Sequence, residues 1–191
     1  MATNLIESIQ RNLDLPILEK IDPNTQEIRD KSDLDVVQNL AQASVTAILA
    51  GMYKYSRNHE NCEDLLRGNI STDWANRYFG GFANEVIEKV SDYSGASMTR
   101  TQSQMDIIAD EALDVLLNNL PDKATADDVK NFMTSQRNNI LLHLPAELQI
   151  GSLLDDNSMD DRTNKMRGPI SNLMHKIEKG MSGSEPGSPA M

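Results

Sequence analysis

The stretch QRNNILLHLPAELQIGSLL, Gln136 to Leu154, decides how the chain is read. It opens polar, turns densely apolar at Ile140, Leu141, Leu142 and Leu144, and meets Pro145. It then stays apolar through Leu148, Ile150, Leu153 and Leu154. Proline disfavours helical geometry at the preceding residue and has no N–H to donate, yet it suits the first position of a new helix. The pattern predicts a helix, a sharp corner, a short helix through about Gln149, and Gly151 releasing the chain. Burying a Leu or Ile is worth roughly 1.5–3 kcal/mol, so the corner is expected to close a core rather than form a groove. It is too short and too interrupted to span a bilayer, which takes about 20 apolar residues.

Outward from this corner, nearly every segment repeats at helical spacing and none alternates like a strand. Leu34, Val37, Ala41, Val45, Ile48, Met52 and Tyr55 step by three and four. They predict a central helix from Asp33 to about Asn58, with Ser32 and Asp35 as a capping-box-like start. Ala41, Ser44, Ala47, Ala50 and Gly51 keep part of it thin enough for a close neighbour. Before it, Leu5, Ile6, Ile9 and Leu13 suit one amphipathic helix and residues 16–21 a short second one. After a short segment at Glu63 to Arg67, Ser71 or Thr72 can start a helix burying Ala75, Phe79, Phe82, Val86, Val90 and Tyr93. Gly80 and Gly81 should kink it, each costing about 1 kcal/mol against alanine, and Gly95 should end it. Met105, Ile108, Ala112, Leu116, Leu117 and Leu120 mark the next helix, stopped by Pro121. Thr125 and Asp128 then cap a last long helix through Val129, Phe132, Met133, Ile140, Leu141 and Leu144.

Composition agrees with an all-α, compact multi-helical single domain of six or seven helices over residues 1–155. A linker with a short C-terminal amphipathic helix (156–181) and a flexible, Ser/Gly/Pro-rich tail (182–191) follow. A chain of 191 residues fits the usual allowance of about 100–200 per domain. The formal charge of −11, from 18 basic and 29 acidic side chains, opposes non-specific binding to nucleic acid. Cys62 is the single cysteine, so no internal disulfide and no cysteine-based zinc site can form. The N-terminal MATNLIESIQRNLDLP has neither the basic start nor the apolar run of a signal peptide. A cytoplasmic protein is expected.

The string SQRNNILLHLPAELQIGSLL resembles the C-terminal motif of the bacterial YidB-like family of uncharacterised helical proteins. There a helix carrying a polar glutamine runs into an apolar-Pro-x-x-Leu corner and a Gly-Ser-Leu-Leu ending. NLAQASVTAILAGM, the glycine pair in RYFGGF, and VSDYSGAS before a long apolar helix follow in similar order, so the resemblance covers about Asp33 to Asp155. It implies an all-α bacterial intracellular fold and carries over no catalytic residue.

Chemistry-bearing residues are sparse. His59 and Cys62 form H-E-N-C, but a zinc site needs three or four ligands and no second pair exists. His143, between two leucines, fits a packed or hydrogen-bonded position. The pairs Asp110/Glu111, Asp127/Asp128, Asp155/Asp156 and Asp160/Asp161 are adjacent and so diverge on a helix. No metal or other cofactor is expected. Trp74, Tyr78, Phe79 and Phe82 gather half of the eight aromatics beside Gly80 and Gly81, where backbone can approach a ligand closely. Aromatics at this spacing equally suit a core.

Residues 162–180 hold Arg162, Lys165, Arg167, Lys176 and Lys179 against Glu178 alone, a local charge of +4. Ile170, Leu173, Met174 and Ile177 would share one face of a helix between Pro169 and Gly180, able to bind a partner. Opposite charge favours its folding back on the acidic domain, and a membrane-surface contact is the weaker reading. The expected function is a non-enzymatic interaction or structural module with an unknown protein partner or a second copy. A small-ligand binder or enzyme at Trp74–Phe82 is the alternative.

Overall fold

Small side chains along part of one helix let others pack closely around it, and this sets the architecture. In the computed structural model, which describes residues 3–21, 36–68 and 73–154 (without the side chains of Ser152 and Leu153), α2 spans Val36–Tyr55. Every residue from Asn39 to Tyr53 is buried, as befits a helix enclosed within a core rather than lying on it. Around it run α4 (Trp74–Phe79), α5 (Ala83–Ser94), α6 (Met98–Asn118) and α7 (Ala126–His143). The short α1 (Leu5–Asn12) lies on α6 and α7, α3 (His59–Leu66) packs on α7, and α8 (Ile150–Leu153) closes the corner. The molecule is all-α, with no strand among the described residues. Among the described residues six helices run for eight residues or more, as expected, and the shorter α4 and α8 are added where Gly80 splits one segment and the corner makes a further turn.

Local signals fix several helix ends. Asn4, Asn58 and Ser97 accept backbone N–H groups at the starts of α1, α3 and α6. Thr125 and Asp128 form the reciprocal capping box that their spacing predicts for α7. Gly95, at φ 72°, is the left-handed stop of α5. The expected caps at Ser32/Asp35 and Ser71/Thr72 lie outside the described residues.

Three local expectations are corrected. Residues 16–21 form no helix, because glutamine side chains take over their backbone bonding. Gln10 Nε2 donates to Pro16 O at 2.8 Å and Gln38 Nε2 to Ile17 O at 2.8 Å. Gln42, inside α2, accepts from Glu19 N–H at 2.8 Å and donates to Glu19 O at 3.1 Å and to His143 O. The buried face expected to run on through Phe82 is also broken. Gly80 adopts φ 56°, a conformation L side chains rarely take, and a 3₁₀ turn over Gly80–Phe82 restarts the register at Ala83. Phe82 is left 50% exposed. At the corner, α7 ends at His143 and Leu144 turns extended before Pro145, as predicted, and a 3₁₀ turn follows over Ala146–Leu148. The left-handed turn then falls at Gln149 (φ 49°), while Gly151 sits within α8. Leu144, Leu148, Ile150 and Leu154 are all buried, so the corner does close the core.

Gly51 is where close packing is tightest. A Cβ built there would lie 2.6 Å from Phe79 Cζ and 3.0 Å from Tyr78 Cβ. Gly51→Ala should therefore lower stability, by up to about 2 kcal/mol. The overpacking cost of about 1–3 kcal/mol outweighs the gain of about 1 kcal/mol in helix preference. Chemical denaturation checks this, and Phe79→Leu in the same chain should relieve much of the loss.

Gln42→Ala leaves three backbone groups without their partner and is expected to cost about 2–3 kcal/mol, since a buried unsatisfied group costs roughly 1–3 kcal/mol. Hydrogen exchange should show the Glu19 and Ile21 amides losing protection while those of α6 keep theirs.

Candidate functional site

The space that Gly51 opens on α2 is filled from α4. Trp74, Tyr78 and Phe79 are all buried there, with Trp74 and Phe79 edge to face at 6.2 Å and Tyr78 and Phe79 at 6.5 Å. Tyr55, from the last turn of α2, tilts against Tyr78 with ring centres 5.6 Å apart. Three of the four sequence-predicted ligand residues thus converge. Phe82, beyond the Gly80 turn, is half exposed and makes no ring contact with them.

A polar fringe surrounds these rings. The Trp74 indole N–H donates to Asp106 Oδ1 at 2.7 Å, and the same oxygen accepts from Gln102 Nε2 at 2.8 Å. Asp64 Oδ2 accepts from the Tyr55 hydroxyl and from Arg77, each at 3.2 Å, while Oδ1 accepts from Arg67 at 2.9 Å. The Tyr78 hydroxyl and Arg77 Nε, both shielded from solvent, have no hydrogen-bond partner among the described residues. Burial pushes the Tyr78 phenol far above its ordinary pKa, and the charges of Tyr55 and Asp110 add to this against the opposing pull of Arg77. Burial also raises Tyr55. Both phenols therefore stay protonated near neutrality; Tyr55 donates to Asp64, and with Arg67 and Arg77 it holds that carboxylate in place.

The other candidates diverge. His59 is exposed, 3.8 Å from Glu63, whereas Cys62 is buried with its thiol on Ser56 O at 3.0 Å. His143 is buried, and its Nδ1 lies 2.8 Å from Asn139 O. A carbonyl can only accept, so Nδ1 carries the proton. Asp128 is engaged in capping, and the backbone N–H of Thr125 holds its carboxyl below the usual range. No group of three or more His, Cys, Asp or Glu among the described residues could hold a metal ion, and no helix there is long and apolar enough to cross a membrane. Ile170, Leu173, Met174 and Ile177, with the pairs beginning at Asp155 and Asp160, lie outside the described residues.

Comparison with protein-family models, with curated proteins and with solved structures finds no match for the chain.

Sequence reasoning missed the polar partners of the aromatic turn. Asp106, Asp64 and Arg77 sit on three helices, and nothing in their local spacing announces that they meet. Gln136 was legible in principle. Val129, Met133, Gln136, Ile140 and His143 step by four and three, which puts both polar residues on the buried stripe of α7.

Tyr78→Phe removes a buried hydroxyl that has no partner and should be neutral or raise stability by about 1 kcal/mol. The wild type should also weaken with rising pH above about 10, the ordinary phenol value. There the unfolded chain loses its proton while folded Tyr78 keeps it, so stability falls with pH. Denaturation curves between about pH 8 and 11 should show a smaller alkaline loss in the variant. A variant clearly weaker than wild type would mean that the hydroxyl has a bonding partner.

Proposed function

We propose that this chain is a non-enzymatic protein-interaction or structural module of the bacterial cytoplasm, binding a protein partner or a second copy of itself. The observation that carries this reading is an apolar shelf held in place by hydrogen bonds. Ile17, 84% exposed, is anchored through its carbonyl to Gln38 on the first turn of α2. Val36 and Val37 stand exposed on that same turn. Large apolar side chains displayed on a braced backbone lose little freedom on binding, which favours association. The buried polar side chains, by contrast, serve the fold: Gln42, Gln136 and His143 all bond to backbone. The YidB-like resemblance belongs to the same proposal and adds no chemistry to it.

Ile17→Asp with Val37→Asp should leave thermal stability nearly unchanged, because both side chains are exposed. The pair should abolish self-association in light scattering, or retention of a partner from bacterial lysate. A wild-type chain that stays monomeric at every concentration and retains nothing would overturn the proposal.

The buried Tyr78 hydroxyl, without a hydrogen-bond partner among the described residues, supports a second reading, a small-ligand site at Trp74, Tyr78, Phe79 and Phe82. Trp74 is the single tryptophan, so its fluorescence reports directly on that region. Saturable quenching by hydrogen-bond-accepting aromatic fragments, lost in Tyr78→Phe, would favour the ligand reading.

A further inference from the structure

The outward face of α6 carries carboxylates at successive helical turns. Asp110 and Asp114 are exposed, and Asp106 precedes them by one turn on the same face. Residues four apart on a helix sit about 5–6 Å from one another. None of the ion pairs among the described residues involves these three groups. The field they create is visible in Asp110 itself: after burial, its neighbours Asp114 and Asp106 are what raise its carboxyl above the usual range. Within the ridge Ile107 stands 53% exposed, next to Asp106 and three residues from Asp110. Asp106 is engaged by Trp74 and Gln102, so Asp110 and Asp114 are the carboxylates left without an ion pair among the described residues, with Ile107 as an apolar rung beside them.

The chain contains one segment of matching chemistry. Residues 162–180 carry +4 within a molecule of −11, so everything else sums to −15. Their basic residues flank Ile170, Leu173, Met174 and Ile177 on both sides. We propose that residues 162–180 dock in cis on the exposed face of α6, with basic side chains on Asp110 and Asp114 and apolar side chains over Ile107.

Geometry permits the reach. The corner after α7 packs beside α5, and α5 packs on α6. Neighbouring helices lie about 8–10 Å apart, while the residues between Leu154 and Arg162 can extend roughly 3.3–3.6 Å each. A short tether also sets a local concentration on the order of millimolar. Contacts too weak to recruit a free peptide therefore suffice in cis. Because the carboxylates are exposed, docking should weaken as salt shortens the Debye length from about 10 Å at 0.1 M to 3 Å at 1 M. The inference stands apart from the Ile17–Val37 shelf, which involves other residues.

Limited trypsin digestion of the full chain, timed at Arg162, Lys165 and Arg167, tests it. At low salt these sites should be cut several-fold more slowly in wild type than in Asp110→Lys/Asp114→Lys, and high salt should erase the difference. Lys176→Glu/Lys179→Glu should speed cutting likewise, and combining the two pairs of reversals should restore protection. Thermal melts of each variant show whether the helical body has stayed folded, and Asp110→Asn/Asp114→Asn is the milder substitute if it has not. Equal cutting in wild type and the α6 variants would overturn the proposal. So would protection that grows with protein concentration, which would place the segment on a second copy.

Discussion

The structure depends on how the end of α7 is satisfied. A helix leaves its last four carbonyls without internal partners, and Pro145, having no N–H, cannot extend the ladder. The carbonyls of Leu142 and His143 would be left in a poorly solvated corner beside Leu144 and Leu148. They are met from far away in sequence: Ile21 N–H donates to Leu142 O, and the Gln42 amide donates to His143 O. The same Gln42 brackets Glu19 through both its N–H and its carbonyl, as a neighbouring strand would. The end of α7 at this corner is thus tied to the N-terminal segment. Gln136 repeats the device one helix length earlier, accepting from Leu5 N–H and donating to Thr3 O. Primary amides suit the task because each carries a donor and an acceptor at the spacing of a peptide group.

This explains why two glutamines are buried in a mainly apolar core. Apolar contacts hold α1 and residues 15–21 against the body, but they are non-directional and tolerate sliding. Directional bonds from Gln42 and Gln136 select one register, since any shift would leave buried backbone groups unpaired. On the opposite flank the register is steric. Gly51 admits the ring of Phe79 at a distance that no larger residue allows, so α4 can dock on α2 at one height only. The Tyr78 hydroxyl is carried inside by that docking and finds no acceptor.

The parts of this architecture legible in the sequence are those governed by neighbours three or four residues away. The capping box at Thr125 and Asp128, the stop at Gly95, the kink at the glycine pair and the corner at Pro145 all follow from local backbone chemistry. The stripes of α2, α6 and α7 were readable for the same reason. Residues 16–21 were misread because their local preference is overruled by side chains of Gln38 and Gln42, more than twenty positions on. Phe82 was misplaced because a single positive φ at Gly80 shifts the register of everything that follows it. The left-handed turn at Gln149 instead of Gly151 has the same moral: glycine permits that conformation, but packing decides where it is needed. The polar fringe of the aromatic turn was invisible for a stronger reason. Asp64, Asp106 and Arg77 meet through tertiary packing, and no spacing within one segment encodes it.

Charge distribution links these structural economies to the surface. The interior engages its amides and its buried imidazole in fixing the fold, and Asp64, Asp106 and Asp128 are each bound to neighbouring groups. Asp110 and Asp114 are different, because they face outward on α6 at one-turn spacing with no cation among the described residues beside them. Like charges so placed destabilise a helix slightly, and a helix buried on its other faces against α1, α2 and α5 can bear that strain. Their placement is therefore a feature of the surface and not of the core. In the two proposals the exposed ridge on α6 and the apolar shelf at Ile17 and Val37 recognise by different chemistry, one screened by salt and the other not. The proposed docking on α6 would accordingly respond to ionic strength while the shelf would not.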